Sequence, residues 1–456
     1  MFKPQLFFLF FSLLLIGCGG SQVADDGSWR PLFNGKNLDG WQRLNGNAEY
    51  TVEDNAILGR TKRNTPNTFL ATQENYSDFQ LEFEVLIDPY INTGVQIRSN
   101  SYSDYLSGRV HGLQIDIDPS ERAWTGGIYD EARRGWIYPL ELNPKAGEAF
   151  KPGEWNTVFV EAIGTSIKTW INDEPAAFLI DNLTDDGFIA LQVHSIDKPE
   201  LVGRLIKWRN IRIKTGNLEP KPGDFPFVVN MIPNNLSDAE LEQGWMSLFN
   251  GFSTDLWRGA HKETFPSMGW EVKDETLRVL ESGGGEARHG GDIVTKDEFG
   301  SFEFQMEFKL TEGANSGIKY FVTEEYDVGE GSAIGLEYQL LDDANHPDSQ
   351  NGREGNRTLG SLYDLIPAQT EDRFVNAPGK WNHARIIVYP NNHVEHWLNH
   401  RKVLEYERGS RAFLNLVAIS KYKDWKDFGL ADQGHVLLQD HGNEVSFRSI
   451  KIRHVQ

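Results

Sequence analysis

Apolar and polar side chains alternate with a period of two through residues 80–87, 157–163, 302–310 and 384–389. Such alternation sends successive side chains to opposite faces of a strand with one face buried. Helical spacing is scarce, and the runs are short and broken by Gly, Asn and Asp turns, so the pattern predicts many antiparallel strands. One segment departs from it: residues 6–16 are almost wholly apolar and follow Lys3. That run is too short for a bilayer, which needs about 20 residues, and with its flanking charge it reads as an export signal.

The strand-rich pattern occurs twice. Leu32-Phe33-Asn34-Gly35, followed by Trp41, returns as Leu248-Phe249-Asn250-Gly251, followed by Trp257. Pro152-Gly153-Glu154-Trp155-Asn156 matches Pro378-Gly379-Lys380-Trp381-Asn382, and Trp170-Ile171-Asn172 matches Trp397-Leu398-Asn399. Near the ends, Leu191-Gln192-Val193-His194 matches Leu438-Gln439-Asp440-His441. Spacing this long exceeds a solenoid unit, so the copies are whole domains. Each is expected to be an antiparallel β-sandwich of jelly-roll type. The expected divisions are a signal over 1–18, a tether over 19–28, sandwiches over 29–214 and 237–456, and a proline-rich extended linker over 215–236. At the end of that linker, Ser237-Asp238-Ala239-Glu240 has the spacing of a capping box that opens a short helix.

The chain's one cysteine, Cys18, follows Leu15-Ile16-Gly17, so no internal disulfide can form. The four residues resemble a bacterial lipobox. Cleavage before Cys18 and acylation of its thiol would anchor an exported protein to the cell envelope, with the membrane as partner through that lipid. The balance of 45 Lys and Arg against 66 Asp and Glu leaves −21. That field repels phosphate backbones, so nucleic acid is excluded as a partner. No dinucleotide or Walker glycine motif, no His-Glu-x-x-His, no Cys-x-x-Cys and no nucleophile elbow occurs, and Gly283-Gly284-Gly285 reads as a turn.

The paired Phe-Asn-Gly openings, the Trp-Asn and Trp-x-Asn strands and the Leu-Gln-x-His endings resemble the 3-keto-disaccharide hydrolase family, over 29–214 and 245–453. The resemblance implies concanavalin A-like sandwiches and cleavage of glycosides oxidised at C3. The ketone acidifies the C2 hydrogen, a base removes it, the C1 substituent leaves and water adds back. It also implies a divalent metal of unknown identity as enolate stabiliser and a sugar 3-oxidoreductase that makes the substrate. The second copy is the closer match, through Gly335-Leu336-Glu337-Tyr338-Gln339, His346-Pro347-Asp348 and Leu438-Gln439-Asp440-His441-Gly442. In the first copy Gln114 stands in place of Glu337 and Asp116 in place of Gln339.

Strand parity puts Glu337 and Gln339 on one face, Tyr338 and Leu340 on the other, and Gln439 on the face of His435. Glu337, His441, Lys319 and Tyr363 are the catalytic candidates. Glu337, Asp342, Asp343, His346 and His441 are the metal candidates, with Glu337 and His441 either ligands or proton carriers. Gln339, Gln439, Lys421 and Tyr422 are expected to bind substrate, the last two from an insertion over 409–434 that is either a lid or a loop with an aromatic anchor. Arg98, Asp116, Tyr129 and Trp136 form a candidate sugar platform in the first copy. His396, Trp170 and Trp381 read as packing residues. The opposing function is a non-catalytic carbohydrate-binding lipoprotein; a conventional carboxylate-pair glycosidase is a third reading.

Overall fold

The alternating runs do form strands. In Phe79–Ile87, Leu81, Phe83 and Val85 are buried while Glu82, Glu84 and Leu86 between them are only half-buried, as one apolar face requires. The computed structural model describes residues 27–455 apart from 288, 327, 328 and 330, so the expected signal, Cys18 and most of the tether lie outside the described residues. Among the described residues no helix is long and apolar enough to cross a membrane.

Two jelly-roll β-sandwiches follow one another, the first built from sheets of nine and seven strands and the second from sheets of eight and five. Each buries its own apolar core between its sheets. The smaller sheets repeat one order. In the second copy it runs Trp257–Gly259, Ile293–Thr295, His435–Leu438, Asn315–Val322, Leu336–Leu341. In the first it runs Trp41–Asn45, Thr68–Thr72, Phe188–Val193, Thr93–Asn100, His111–Ile117, with the hairpin Ile128–Glu131 and Gly135–Tyr138 added at the edge.

The repeated sequence motifs close turns. Asn34 Oδ1 accepts from the Lys36 and Asn37 amides, and Asn250 Oδ1 from those of Phe252 and Ser253. Trp41 and Trp257 donate their indole N–H to Leu32 and Leu248 carbonyls at 3.2 and 2.8 Å. Asn172 and Asn399 each donate to the asparagine of the Trp-Asn motif, Asn156 or Asn382, at 2.8 and 2.7 Å. These asparagine and tryptophan contacts hold the scaffold. Trp170 and His396 are buried as expected, the latter between the Tyr320 hydroxyl and the Gly360 carbonyl.

The linker is docked along its second half. Phe225, Phe227 and Val228 are buried, and Val229–Asn230 adds a parallel strand beside Glu174–Ile180 of the first sandwich. Ser237 then caps the helix Asp238–Glu242 through the expected capping box. Glu240 of that box is fully buried; it accepts from Asn230 Nδ2 at 2.6 Å and pairs with Lys451 of the second sandwich. Farther along, Arg401 bonds Glu141 at 2.9 Å and lies over the Trp124 ring. Ile387 and Trp397, from the large sheet of the second sandwich, join the first core.

Removing Glu240 would strand Lys451 in a buried position. Glu240→Ala is expected to cost about 3–5 kcal/mol of unfolding free energy, and adding Lys451→Met to recover part of it, both read by chemical denaturation.

Candidate functional site

The five-stranded sheet turns Tyr338 and Leu340 into the core and Glu337 and Gln339 to its other face, as parity predicts. Across from them on Asn315–Val322, Lys319 is register partner of Glu337 and Gly317 of Gln339. A side chain at Gly317 would begin 2.4 Å from Glu337 Oε1, so only glycine lets the glutamate lie across the neighbouring strand. Glu337 is 4% exposed, and among the described residues no hydrogen bond reaches its carboxylate. Gln339 is 1% exposed with both amide atoms unpartnered. Sheet sites normally satisfy such groups, so an unpaired acid beside an unpaired amide marks a place for a ligand.

The charge around them is organised by Lys319. Its buried ammonium donates to Glu286 at 3.1 Å, to Asp292 at 3.5 Å and to the Ala333 carbonyl at 3.1 Å. Gln439 Nε2 and Ser332 Oγ also donate to Glu286, at 3.1 and 3.2 Å. Burial works against the charge of Lys319, yet Asp292 and Glu286 outweigh it and raise its pKa. In return the lysine holds half-exposed Glu286 down at about 2, whereas burial pushes Asp292 up to about 6 against the same lysine. Glu337 is raised, chiefly by burial, against the charges of Lys319 and Lys421.

A second group of charged side chains comes from loops. Tyr363 donates to Asp348 Oδ2 at 2.7 Å, and Arg357 joins Asp348 and Asp364 at 3.0 and 2.9 Å. Asp364 accepts from the Lys421 amide at 2.7 Å, which sets the Lys421 ammonium 4.1 Å from the Tyr363 ring centre. The insertion is thus both an anchored loop and the carrier of one cation. His441 meets His346 edge to face, ring centres 6.2 Å apart, and its Nδ1 is buried without a partner. Burial lowers both imidazoles and favours their neutral form.

Other expected site residues are placed differently. Tyr422 is 2% exposed and stacks on Phe428 at 3.9 Å, so it is the aromatic anchor and offers no surface to a substrate. Arg98 is buried, bonded to the Ser77 and Gly164 carbonyls and to Asp78. It sits at a bulge with φ +42°, which breaks the alternation and turns it away from the face of Gln96. Asp342 accepts from the Gly313 amide and Asn345, and Asp343 from the Leu359 amide, so both close turns. Among the described residues, only His393, Glu395 and Glu405 bring three ligand atoms within 4.8 Å of one another. Lys402 already bonds both of those glutamates, at 3.3 and 2.6 Å. The five expected metal ligands do not form a preassembled three-ligand site, and His346 Nδ1 already accepts from the Asp348 amide.

Asp116, Tyr129 and Trp136 do line a cleft, about 1060 Å³ in volume, on the corresponding sheet of the first sandwich. Sequence reasoning missed Glu286, Asp292 and Asp348 as parts of the second site. The available signal for Glu286 was the glycine turn just before it: the Gly284 and Gly285 amides bond the Gly442 and His441 carbonyls, which ties that loop to the Leu-Gln-x-His ending.

A family model described as the 3-keto-alpha-glucoside-1,2-lyase-like domain matches residues 28–214 and 244–453. A 3-keto-disaccharide hydrolase of Bacteroides thetaiotaomicron is 37% identical over 230 residues, covering 46% of this chain and 78% of the relative. Among solved structures, a candidate glycosyl hydrolase from Parabacteroides distasonis is 28% identical, with a TM-score of 0.42, over 49% of this chain and all of its own. The carbohydrate binding module CBM66 of Bacillus subtilis is 17% identical, with a TM-score of 0.24, over 38% of this chain and 95% of its own.

Lys319→Met leaves Asp292 buried beside no cation and drives its pKa above about 6. A carboxyl raised on folding loses stability as pH rises through its folded pKa. The variant is therefore expected to be destabilised by about 3 kcal/mol near pH 8 and by less near pH 6, read by denaturation at the two values.

Proposed function

The chain belongs to the 3-keto-alpha-glucoside-1,2-lyase-like family over both of its sandwiches, and from that membership we propose that its second sandwich cleaves glycosides already oxidised at C3. The observation that carries this reading is Glu337: a buried carboxylate with no hydrogen bond to it, its pKa raised by burial, beside the unpaired amide of Gln339. A base that must take a weakly acidic C–H proton works best desolvated and tuned toward neutral pH.

In this reading Glu337 removes the C2 proton, and the electron pair of that bond forms the enolate with the C3 carbonyl. Lys421, with Lys319 behind it, offsets the charge that develops on the C3 oxygen. The enolate pair then returns to form the C1–C2 double bond as the C1–O bond breaks, and the departing oxygen takes a proton. His441, neutral and therefore able to donate at one ring nitrogen and accept at the other, relays that proton. Addition of water across the new double bond then supplies a proton to C2 and a hydroxyl to C1, for net hydrolysis. Gln339 and Gln439 hold sugar hydroxyls. Tyr363 acts by position: its hydroxyl is bonded to Asp348, its pKa is raised by burial, and its ring supports Lys421. The residues as placed do not gather around a divalent ion, and no step is routed through one. The substrate has to come from an oxidation at C3 by a sugar oxidoreductase.

The test is release of the aryl alcohol from an aryl 3-keto-glucoside, run with and without chelator and against the unoxidised glucoside. Release from the keto sugar alone is expected. No release by folded protein, or equal release from the unoxidised sugar, would sink the reading. Glu337→Gln should lower kcat by about 10²–10⁴-fold, the usual worth of a positioned base, and Gly317→Ala should lower it by displacing that carboxylate. The acid limb of kcat/KM should lie above the 4.5 of an ordinary glutamate, because the base form is lost as pH falls through the raised value.

A further inference from the structure

Read through strand register, the two sandwiches place different chemistry on one frame. The cross-strand pair Lys319 and Glu337 of the second copy corresponds to Gln96 and Gln114 in the first, and Gly317 and Gln339 to Gly94 and Asp116. Gly94 serves its neighbour as Gly317 does: a side chain there would begin 2.4 Å from Gln114 Cδ. The frame is kept while the charged pair is replaced by amides.

These amides are bonded to one another. Gln114 Oε1 accepts from Gln96 Nε2 at 2.7 Å and from Gln192 Nε2 at 2.8 Å, and Gln114 Nε2 donates to Asp116 at 3.2 Å. Asn92 donates to both Asp116 oxygens, at 3.3 and 3.1 Å. Where the second site has an acid with no hydrogen bond, the first has a primary amide whose oxygen accepts twice. An amide cannot take a proton from carbon, and this one is fixed in place. Asp116, the carboxylate nearest to it, has its pKa raised to about 7 by burial, but it is held by two amides and has Arg122 3.8 Å away, so it is fixed in hydrogen bonds.

The same cleft is nevertheless built to receive something. Gln192 is 1% exposed and lines it, with its Oε1 unpartnered. Trp136 and Tyr129 stand edge to face, ring centres 5.4 Å apart, on its wall. The cleft is at the upper end of small-molecule pockets, roomy enough for more than one sugar ring. Its ions are paired off: Arg109 with Glu131 at 2.8 Å and Arg122 with Asp118 at 2.6 Å. Arg373 of the second sandwich reaches its rim, so the cleft is completed by the tandem arrangement.

We infer that the first sandwich is a separate, non-cleaving binding site for an uncharged, hydroxyl-rich oligomer, that is, an unoxidised oligosaccharide. Aromatic rings supply apolar faces for sugar rings, and the amide ladder and Asp116 supply fixed hydrogen bonds to hydroxyls. Asp116, Asp118 and Glu131 are matched in number by Arg109, Arg122 and Arg373 along the lining, so no excess of one sign favours an anionic or cationic ligand. The protein would then hold a glycan on one sandwich while the other acts on its oxidised residues.

The full chain carrying Glu337→Gln is titrated with cellotetraose and with maltotetraose by calorimetry and tryptophan fluorescence. One of the two is expected to bind at a single site, and Asp116→Asn or Trp136→Ala in the same background to weaken binding at least tenfold with an unchanged circular dichroism spectrum. Using both variants keeps the test decisive if one of them misfolds. Binding of neither sugar, or binding indifferent to both substitutions, overturns the assignment. Residual keto-glucoside cleavage in the Glu337→Gln protein that disappears with Asp116→Asn overturns the non-cleaving role. Failure of the keto-glycoside reading shows separately, as absent turnover in the unsubstituted protein, and leaves the titration to stand by itself.

Discussion

Lys319 is the fixed point of the second sandwich. A fully buried ammonium needs counter-charge, and the chain supplies it from one stretch earlier in the sequence: Glu286 on the glycine-rich loop, 33 residues before it, and Asp292, 27 residues before it, immediately before the strand Ile293–Thr295. Meeting that demand draws the loop over the sheet, and Gln439 and Ser332 fasten it there. Lys319 donates its hydrogen bonds to those two acids, and among the described residues none reaches the carboxylate of Glu337. Its raised pKa comes chiefly from burial, against the charges of Lys319 and Lys421. The site is a consequence of how one buried charge is balanced.

The two copies show the cost of that arrangement by contrast. In the first sandwich the corresponding positions form a ladder of amides in which Gln114 is bonded on three counts. A ladder of that kind rigidifies a sheet face and leaves little reactive. The second sandwich gives up those bonds and keeps two amide atoms of Gln339 and one carboxylate unpaired in a buried place. Buried polar atoms without partners cost stability, and they persist at sites where a ligand completes them. The same frame thus occurs once with its polar groups bonded to one another and once with polar groups left unpaired.

The two sandwiches are packed against one another. The large sheet of the second copy meets the first through Trp397, Ile387 and Arg401, and the docked linker closes the joint through Glu240 and Lys451. Arg373 extends from the second sandwich to the rim of the cleft on the seven-stranded sheet of the first.

Much of this was legible in the chain. Period-two alternation assigned Glu337, Gln339, Tyr338 and Leu340 to their faces, and the recurring motifs exposed the duplication, because both are local properties of a strand or a turn. The capping box at Ser237 was readable for the same reason. What alternation could not reveal were the bulges: at Arg98 one extra residue reversed the face and converted an expected sugar contact into a buried anchor. Nor could it foresee that Tyr422 is buried under Phe428, or that the linker would add a strand. Glu286 lies 33 residues from Lys319, and their pairing exists only once the sheet and the loop have come together. The sequence alone determined which side chains share a face, since that follows from backbone geometry at each residue. Which acids are neutralised and which is left free was decided only by the tertiary structure, because charge pairing depends on distances between segments that the chain brings together when it folds.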